Sequence, residues 1–168
     1  FLGYKDLEQT INVVAIDSVF DLGNPDEDIT NTSYLGKIIL HQPNYLFNYS
    51  NIGYQTYLVD QTSLQMMNRL YFDVYRLGQV RDQIEEAEPI IRQADMISFD
   101  ITAIKHADAP ANPNPSPNGF YAEEACQMMR YAGMNDKLSS LGIYEINPEY
   151  DEHGKTAHLA AQMIWCFM

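Results

Sequence analysis

The chain has 168 residues, of which 46% are hydrophobic, 12% aromatic and 20% charged, a composition that builds one domain with a buried core and excludes a disordered, collagenous or coiled-coil chain. Ten basic residues against 23 acidic ones leave a net charge of -13, and a field of that sign argues against nucleic acid and anionic membrane as partners. The same field tolerates bound cations, although an acidic surface is most often a solubility device.

In chain order, residues 4–10 read as the end of a helix, and "INVVAI" (11–16) is a continuous β-branched run of the kind buried on both faces of a parallel sheet. Residues 17–31, rich in Asp, Gly, Asn and Pro, read as a loop leaving that strand. Tyr34, Leu35, Ile38 and Ile39 have helical spacing within 32–41, and Pro43 closes the segment. "NYLFNYSNIGYQTYLV" reads as a strand interrupted near Gly53. Residues 61–75 and 79–94 both show helical periodicity, with Pro89 implying a kink or break in the second. "ADMISFDI" is a second buried strand. The proline-rich loop "HADAPANPNPSPNG" separates it from a helix over 122–132, followed by a strand in "LSSLGIYEIN" and a last helix over 155–168. In that helix Leu159, Ala160, Met163, Ile164 and Phe167 recur at helical spacing, and Trp165 and Cys166 widen the stripe, so the whole face is expected in the core. Helices alternating with apolar strands are the signature of βαβ units, hence an α/β three-layer sandwich with a mainly parallel sheet.

Cys126 and Cys166 have no partner pattern around them, which indicates neither a disulfide framework nor a zinc site and makes a reducing, cytoplasmic setting the default. No apolar run reaches the roughly 18 residues that span a bilayer. The chain opens without Met on a helix-like segment and ends mid-helix at "AAQMIWCFM", which reads as a piece of a longer protein.

Ligand sites in such sheets lie at the carboxyl ends of the strands. Three strands here end in carboxylates: "VVAID" at Asp17 with Asp21 just beyond, "MISFD" at Asp100, and "GIYEINP" at Glu145. Converging acidic groups repel one another unless a cation neutralises them, so a hard, oxygen-preferring ion such as Mn²⁺ or Mg²⁺ is the physical inference. The ordinary alternative is that each Asp caps the next turn or helix.

"VVAIDSVFD", "ISFDITAIKHADAPANPNPSPNGFYAEEA" and "GIYEINPEYDEHGKTAHLAA" resemble, in order and spacing, the later part of the ureohydrolase superfamily of arginases, agmatinases and formimidoylglutamases, with the proline-rich loop most like the formimidoylglutamase branch. The resemblance covers nearly the whole chain. It implies an arginase-like fold and hydrolysis of amidine or guanidine C–N bonds, assisted by two Mn²⁺ ions that activate a water between them.

Carried over residue by residue, the family's Asp-x-His-x-Asp cluster falls on Asp17, Val19 and Asp21, and its Ser-Phe-Asp-x-Asp cluster on Ser98, Phe99, Asp100 and Thr102. Asp17, Asp21 and Asp100 stand as metal ligands, whereas Val19 and Thr102 are degenerate ligand positions. Valine cannot coordinate, and a threonine hydroxyl is a poor bridging ligand, so one ion or none is expected rather than a pair about 3.5–4 Å apart. Glu145 matches the glutamate that orients the substrate in the family. His106 and Asp108 are candidate substitute ligands against the plainer reading of solvated loop residues; His158 is expected on a helix surface or polar wall, and Tyr49 and Tyr54 in packing. Two functions remain open: a hydrolase of a formimino or guanidino compound, or a pseudoenzyme using the same fold as a binding or assembly module. The partners implied are a small amidine or guanidine and, as an open alternative to a monomer, further copies of the chain.

Overall fold

A computed structural model describes residues 1–24, 28–114 and 116–168; residues 25–27 of the acidic loop and Pro115 of the proline-rich loop lie outside the described residues. Five strands, β1 (Ile11–Ile16), β2 (Leu46–Tyr54), β3 (Asp73–Arg76), β4 (Met96–Asp100) and β5 (Ser140–Tyr144), form one sheet in the order β3-β2-β1-β4-β5. Every pairing is parallel. Parallel neighbours need crossovers, and helices supply them on both faces.

The period of two along each strand sorts the core. Val14 and Ile16 of β1 with Ile97 and Phe99 of β4 face one layer, built by α4 (Leu77–Asp82), α5 (Ala87–Ile91), α6 (Ala122–Gly133) and α7 (Lys155–Phe167). Ile11, Val13 and Ala15 face the other, with Leu35 of α2 (Tyr34–Leu40), Met67 of α3 (Gln61–Arg69), and Phe1 and Tyr4 beside the short α1 (Leu2–Asp6). The result is the expected three-layer α/β sandwich. Central β1 is buried at five of its six positions, which is why its sequence is a β-branched run rather than an alternation.

At the end of β2 the register slips between Ile52 and Tyr54, where Gly53 has φ 107°. A Cβ there would lie 2.5 Å from the Phe120 ring, so only glycine lets the strand bend against that ring and the backbone of Asp17.

Three expectations need correction. Residues 61–75 are not one helix: α3 ends at Arg69 and 73–76 form the edge strand β3, too short to display a period of two and preceded by Tyr71 at φ 58°, a turn with no glycine to announce it. The break in 79–94 falls at Gln83 (φ -142°, ψ 66°), whereas Pro89 is the third residue of α5, a first-turn position where no N–H is needed. Finally, α7 buries Leu159 and Met163 but leaves Ile164 and Trp165 48% and 74% exposed, so the stripe is narrower than the sequence suggested. Exchanging Met163 for Ala should therefore cost ~2–5 kcal/mol in denaturant unfolding, while Trp165→Ala should stay within about 0.5 kcal/mol of wild type.

Candidate metal centre

β2 and β4 flank β1 on opposite sides, so the crossovers leaving β1 and reaching β4 diverge between those two strands, the crevice in which open α/β sheets bind ligands. The register Ile16↔Phe99 sets Asp17 and Asp100 side by side one step further on, and strand alternation assigns both to the α2–α3 face. Asp17 is held to β2 by its backbone N–H, which donates to the Ile52 carbonyl at 3.0 Å. The chain then turns, and Asp21 joins the cluster at φ 48°, its carbonyl accepting from the Leu35 N–H at the start of α2. Asp17, Asp21 and Asp100 each offer one oxygen within 4.8 Å of the others, and Asp17 and Asp21 are buried.

The capping alternative is realised as well for Asp17 and Asp100, at one oxygen each. Asp17 Oδ1 accepts from the Val19 N–H at 3.1 Å, and Asp100 Oδ1 accepts from the N–H and hydroxyl of Thr102 at 2.7 and 2.6 Å. Each carboxylate thus commits one oxygen to its own turn and leaves the other for the cluster. Glu145, just past β5 at φ 64°, lines a cavity of about 620 Å³ together with Asp21, Asp100, Val19 and Thr102. Two of the site's carboxylates, Asp21 and Glu145, therefore sit in the left-handed region, which costs of order 1 kcal/mol each and marks positions where geometry outweighs backbone comfort. His106 and Asp108 lie apart from the cluster and line a different cavity with His153 and His158.

Sequence reasoning missed the floor beneath the cluster. Asn51, fully buried on β2, donates from Nδ2 to the Val19 carbonyl at 2.9 Å, and Gln55 donates its backbone N–H to the Ser18 carbonyl at 2.9 Å, so β2 pins the turn that carries Asp17 and Asp21. Among the described residues, Asn51 Oδ1 and the Tyr49 hydroxyl are buried with no partner in hydrogen-bond geometry, although Asn51 and Tyr34 lie close enough to Tyr49 to ease its ionisation against burial. The signal available for this floor was weak, because β2 also carries Asn48 and Ser50, and Asn51 does not stand out in the strand's sequence.

Burial, reinforced by the charges of Asp21 and Asp100, holds the Asp17 carboxyl well above its ordinary value. Burial also pushes Asp21 up to about 6, against the pull of its contact with Asp17 and with the added charges of Asp100 and Glu145. Asp100 is raised by burial and by Glu145 even though Thr102 stabilises its charge. Tyr34 and Tyr49 are raised too, mainly by burial and in part by Asp17 and Asp21, so their phenols stay protonated beside the cluster. Acidic groups brought together out of water raise one another's proton affinity in this way, and a cation bound among them would offset the shifts.

The sequence model of the arginase family matches residues 3–168. The chain belongs to the arginase family. Among curated relatives it is 31% identical over 167 residues to a formimidoylglutamase of Staphylococcus haemolyticus and 29% identical over 166 residues to one of Staphylococcus aureus strain MSSA476. It spans about half of their length, 53% in each case, while the alignments cover 96% and 95% of the chain itself. Its fold matches a Trypanosoma cruzi formiminoglutamase variant solved with Mn²⁺ (TM-score 0.88, 19% identity, 98% of this chain and 57% of that one) and formimidoylglutamase from Bacillus subtilis (TM-score 0.85, 20% identity, 98% and 54%).

The donor set suits a single hard divalent cation, with three carboxylate oxygens in a buried, mutually repelling group. Val19 has no donor atom, and the Thr102 hydroxyl is turned back onto Asp100. A raised aspartate pKa has a defined sign for stability: in metal-free protein the folded chain keeps an Asp21 proton that the unfolded chain releases near 3.8, so this contribution is full below about 3.8 and is lost as pH rises through about 6. Asp21→Asn, which tolerates the left-handed backbone, should therefore stabilise chelator-treated protein at pH 7.5 by on the order of 1–3 kcal/mol while abolishing divalent-cation binding. Equal stability of mutant and wild type in thermal unfolding would show that the cluster is not strained by charge.

Proposed function

We propose that the protein containing these residues is a metal-dependent hydrolase of C–N bonds in a formimino or guanidino compound, with Asp17, Asp21 and Asp100 as ligands to Mn²⁺ and Glu145 orienting the substrate. The observation that carries this reading is the convergence of the three carboxylates within 4.8 Å at the crevice between β1 and β4 of an arginase-family chain. The formimidoylglutamase relatives support the reaction class. One arginase-like domain, of which residues 1–168 form the later part, and a cytoplasmic setting consistent with two free, partly buried thiols, belong to the same proposal.

A divalent ion in this position supplies Lewis acidity and lowers the pKa of a water it binds. The chain's own residues do the rest. Glu145, which lines the same cavity as Asp21 and Asp100, accepts hydrogen bonds from the N–H groups of a planar amidinium or guanidinium and fixes its orientation. The raised affinity of the aspartates for protons makes the ligand shell pH-dependent, since proton and cation compete for Asp21 below about pH 6. Asn51 and Gln55 hold the Asp17–Asp21 turn at fixed depth, which preorganises the two carboxylates before any ligand arrives.

The alternative, a pseudoenzyme, draws on the same two positions that break the family pattern, Val19 and Thr102. Calorimetric titration of the full-length protein with Mn²⁺ separates the readings. One equivalent per chain in wild type, rising to two in a Val19→His/Thr102→Asp double mutant, is the expected outcome. No binding by wild type would transfer the case to the binding or assembly module.

A further inference from the structure

A second cavity, of about 670 Å³, shares no lining residue with the carboxylate cavity, and the chain's histidines gather there. His106, His153 and His158 line it, three of the four in the sequence. His106 comes from the start of the proline-rich loop and His153 from the turn at φ 58° that precedes α7. His158 lies on α7 itself, where Lys155, His158, Leu159 and Gln162 form one stripe of the helix facing the cavity. The rings of His153 and His158 belong to exposed residues, and His106 Nδ1 is buried with no hydrogen-bond partner among the described residues, an unusual state for an interior polar atom.

Two of the acidic groups around this cavity are committed to the fold. Asp108 accepts from the N–H of Ala122, the first residue of α6, at 3.1 Å and pairs with Lys105 at 3.6 Å. Asp151 accepts from the N–H groups of Thr156 and Ala157 at 2.7 and 2.9 Å and so caps α7. Lys155 donates to the Ala107 carbonyl, which holds its ammonium at the cavity wall that Glu152 also lines. What faces an occupant is therefore a set of N–H donors, one from a neutral imidazole, two from an imidazolium and three from an ammonium. They are spread around the cavity: among the described residues, no three His, Asp or Glu ligand atoms here come within 4.8 Å of one another, as those of Asp17, Asp21 and Asp100 do. Dispersed donors in a cavity of this size suit a molecule of several atoms rather than a bare ion. The net charge of -13 repels anions at long range, but physiological salt screens it beyond about 8 Å, so the groups at contact decide.

We infer that this cavity is a binding site for a small organic anion, whose carboxylate or phosphate oxygens accept hydrogen bonds from His153, His158 and Lys155. The site is separate from the metal centre but built on the same two connections. The loop that carries His106 continues to Asn114 and Ser116 of the carboxylate cavity, and the segment that carries His153 starts from Glu145. The Asn147 N–H donates to the Ala111 carbonyl at 2.8 Å, and the Ala111 N–H donates to Thr156 Oγ1 at 3.0 Å, so the two connections are fastened to one another. An occupant rests on backbone that also frames the carboxylate cavity.

Calorimetric titration of the full-length, Mn²⁺-loaded protein with succinate and with glycerol 3-phosphate tests this, with glycerol as the uncharged control. At least one of the anions should bind saturably with a Kd of roughly millimolar or tighter, and glycerol should not. Either anion supports the site, and the tighter one names its chemistry. His153→Asn, a residue that tolerates φ 58°, and His158→Gln both change exposed positions, so thermal unfolding should be unaltered while the double variant weakens anion binding about tenfold or more. In wild type, the imidazole proton resonances assigned through these two variants should shift along the same saturation curve. Asp21→Asn, which removes the metal, should leave anion binding intact. No saturable binding by either anion, or binding that survives the double histidine variant, would overturn the site; loss of binding in Asp21→Asn would place the anion on the metal centre and overturn it as well.

Discussion

Three carboxylates within 4.8 Å of one another, two of them buried, are the constraint around which this molecule is organised. Like charges in a poorly solvated site oppose folding unless protons or a cation neutralise them. The protein carries that cost on its most rigid element. Asp17 and Asp100 end the two adjacent strands β1 and β4, and the apolar core beneath them, with Ile16, Ile97 and Phe99 all buried, supplies the stability that an open loop would lack. The turn bearing Asp21 is tied to β2 by Asn51 and Gln55 and to α2 through Leu35. Clustering here is imposed by the scaffold.

Val19 and Thr102 hold the cluster in different ways. Val19 contributes its backbone, donating to Asp17 and accepting from Asn51, and neither bond depends on its side chain. Thr102 uses its side chain, to hold Asp100 in place. Both residues therefore position the carboxylates without supplying one, and the donor set they frame is all oxygen, the kind a hard divalent cation prefers.

Much of the fold was legible because burial on two faces writes itself into composition. β1 and β4 are read directly from their apolar runs, and α6 and the bounds of α7 from helical spacing. What escaped was local and cheap in sequence terms. The edge strand β3 has four residues and exposed ends, too little to separate from the helix before it. The interruption at Gln83 has neither glycine nor proline, while Pro89, the obvious breaker, sits where a helix accepts it. Trp165 reads as core by hydrophobicity alone, yet its position on α7 turns away from α6 and the sheet.

The sequence by itself determined the alternation of strand and helix, hence the parallel sheet, and placed Asp17, Asp100 and Glu145 at strand ends, because a period of two and a carboxyl end are properties of neighbouring residues. Which of those ends meet was decided by tertiary structure alone: the order β3-β2-β1-β4-β5 sets Asp17 beside Asp100 although they are far apart in the chain. The same holds for Asn51, whose amide reaches the Val19 carbonyl only because β2 lies parallel against β1. Strand order and register are long-range properties, fixed by how the crossovers pack their apolar faces, and no local pattern of residues encodes the neighbour a strand will acquire.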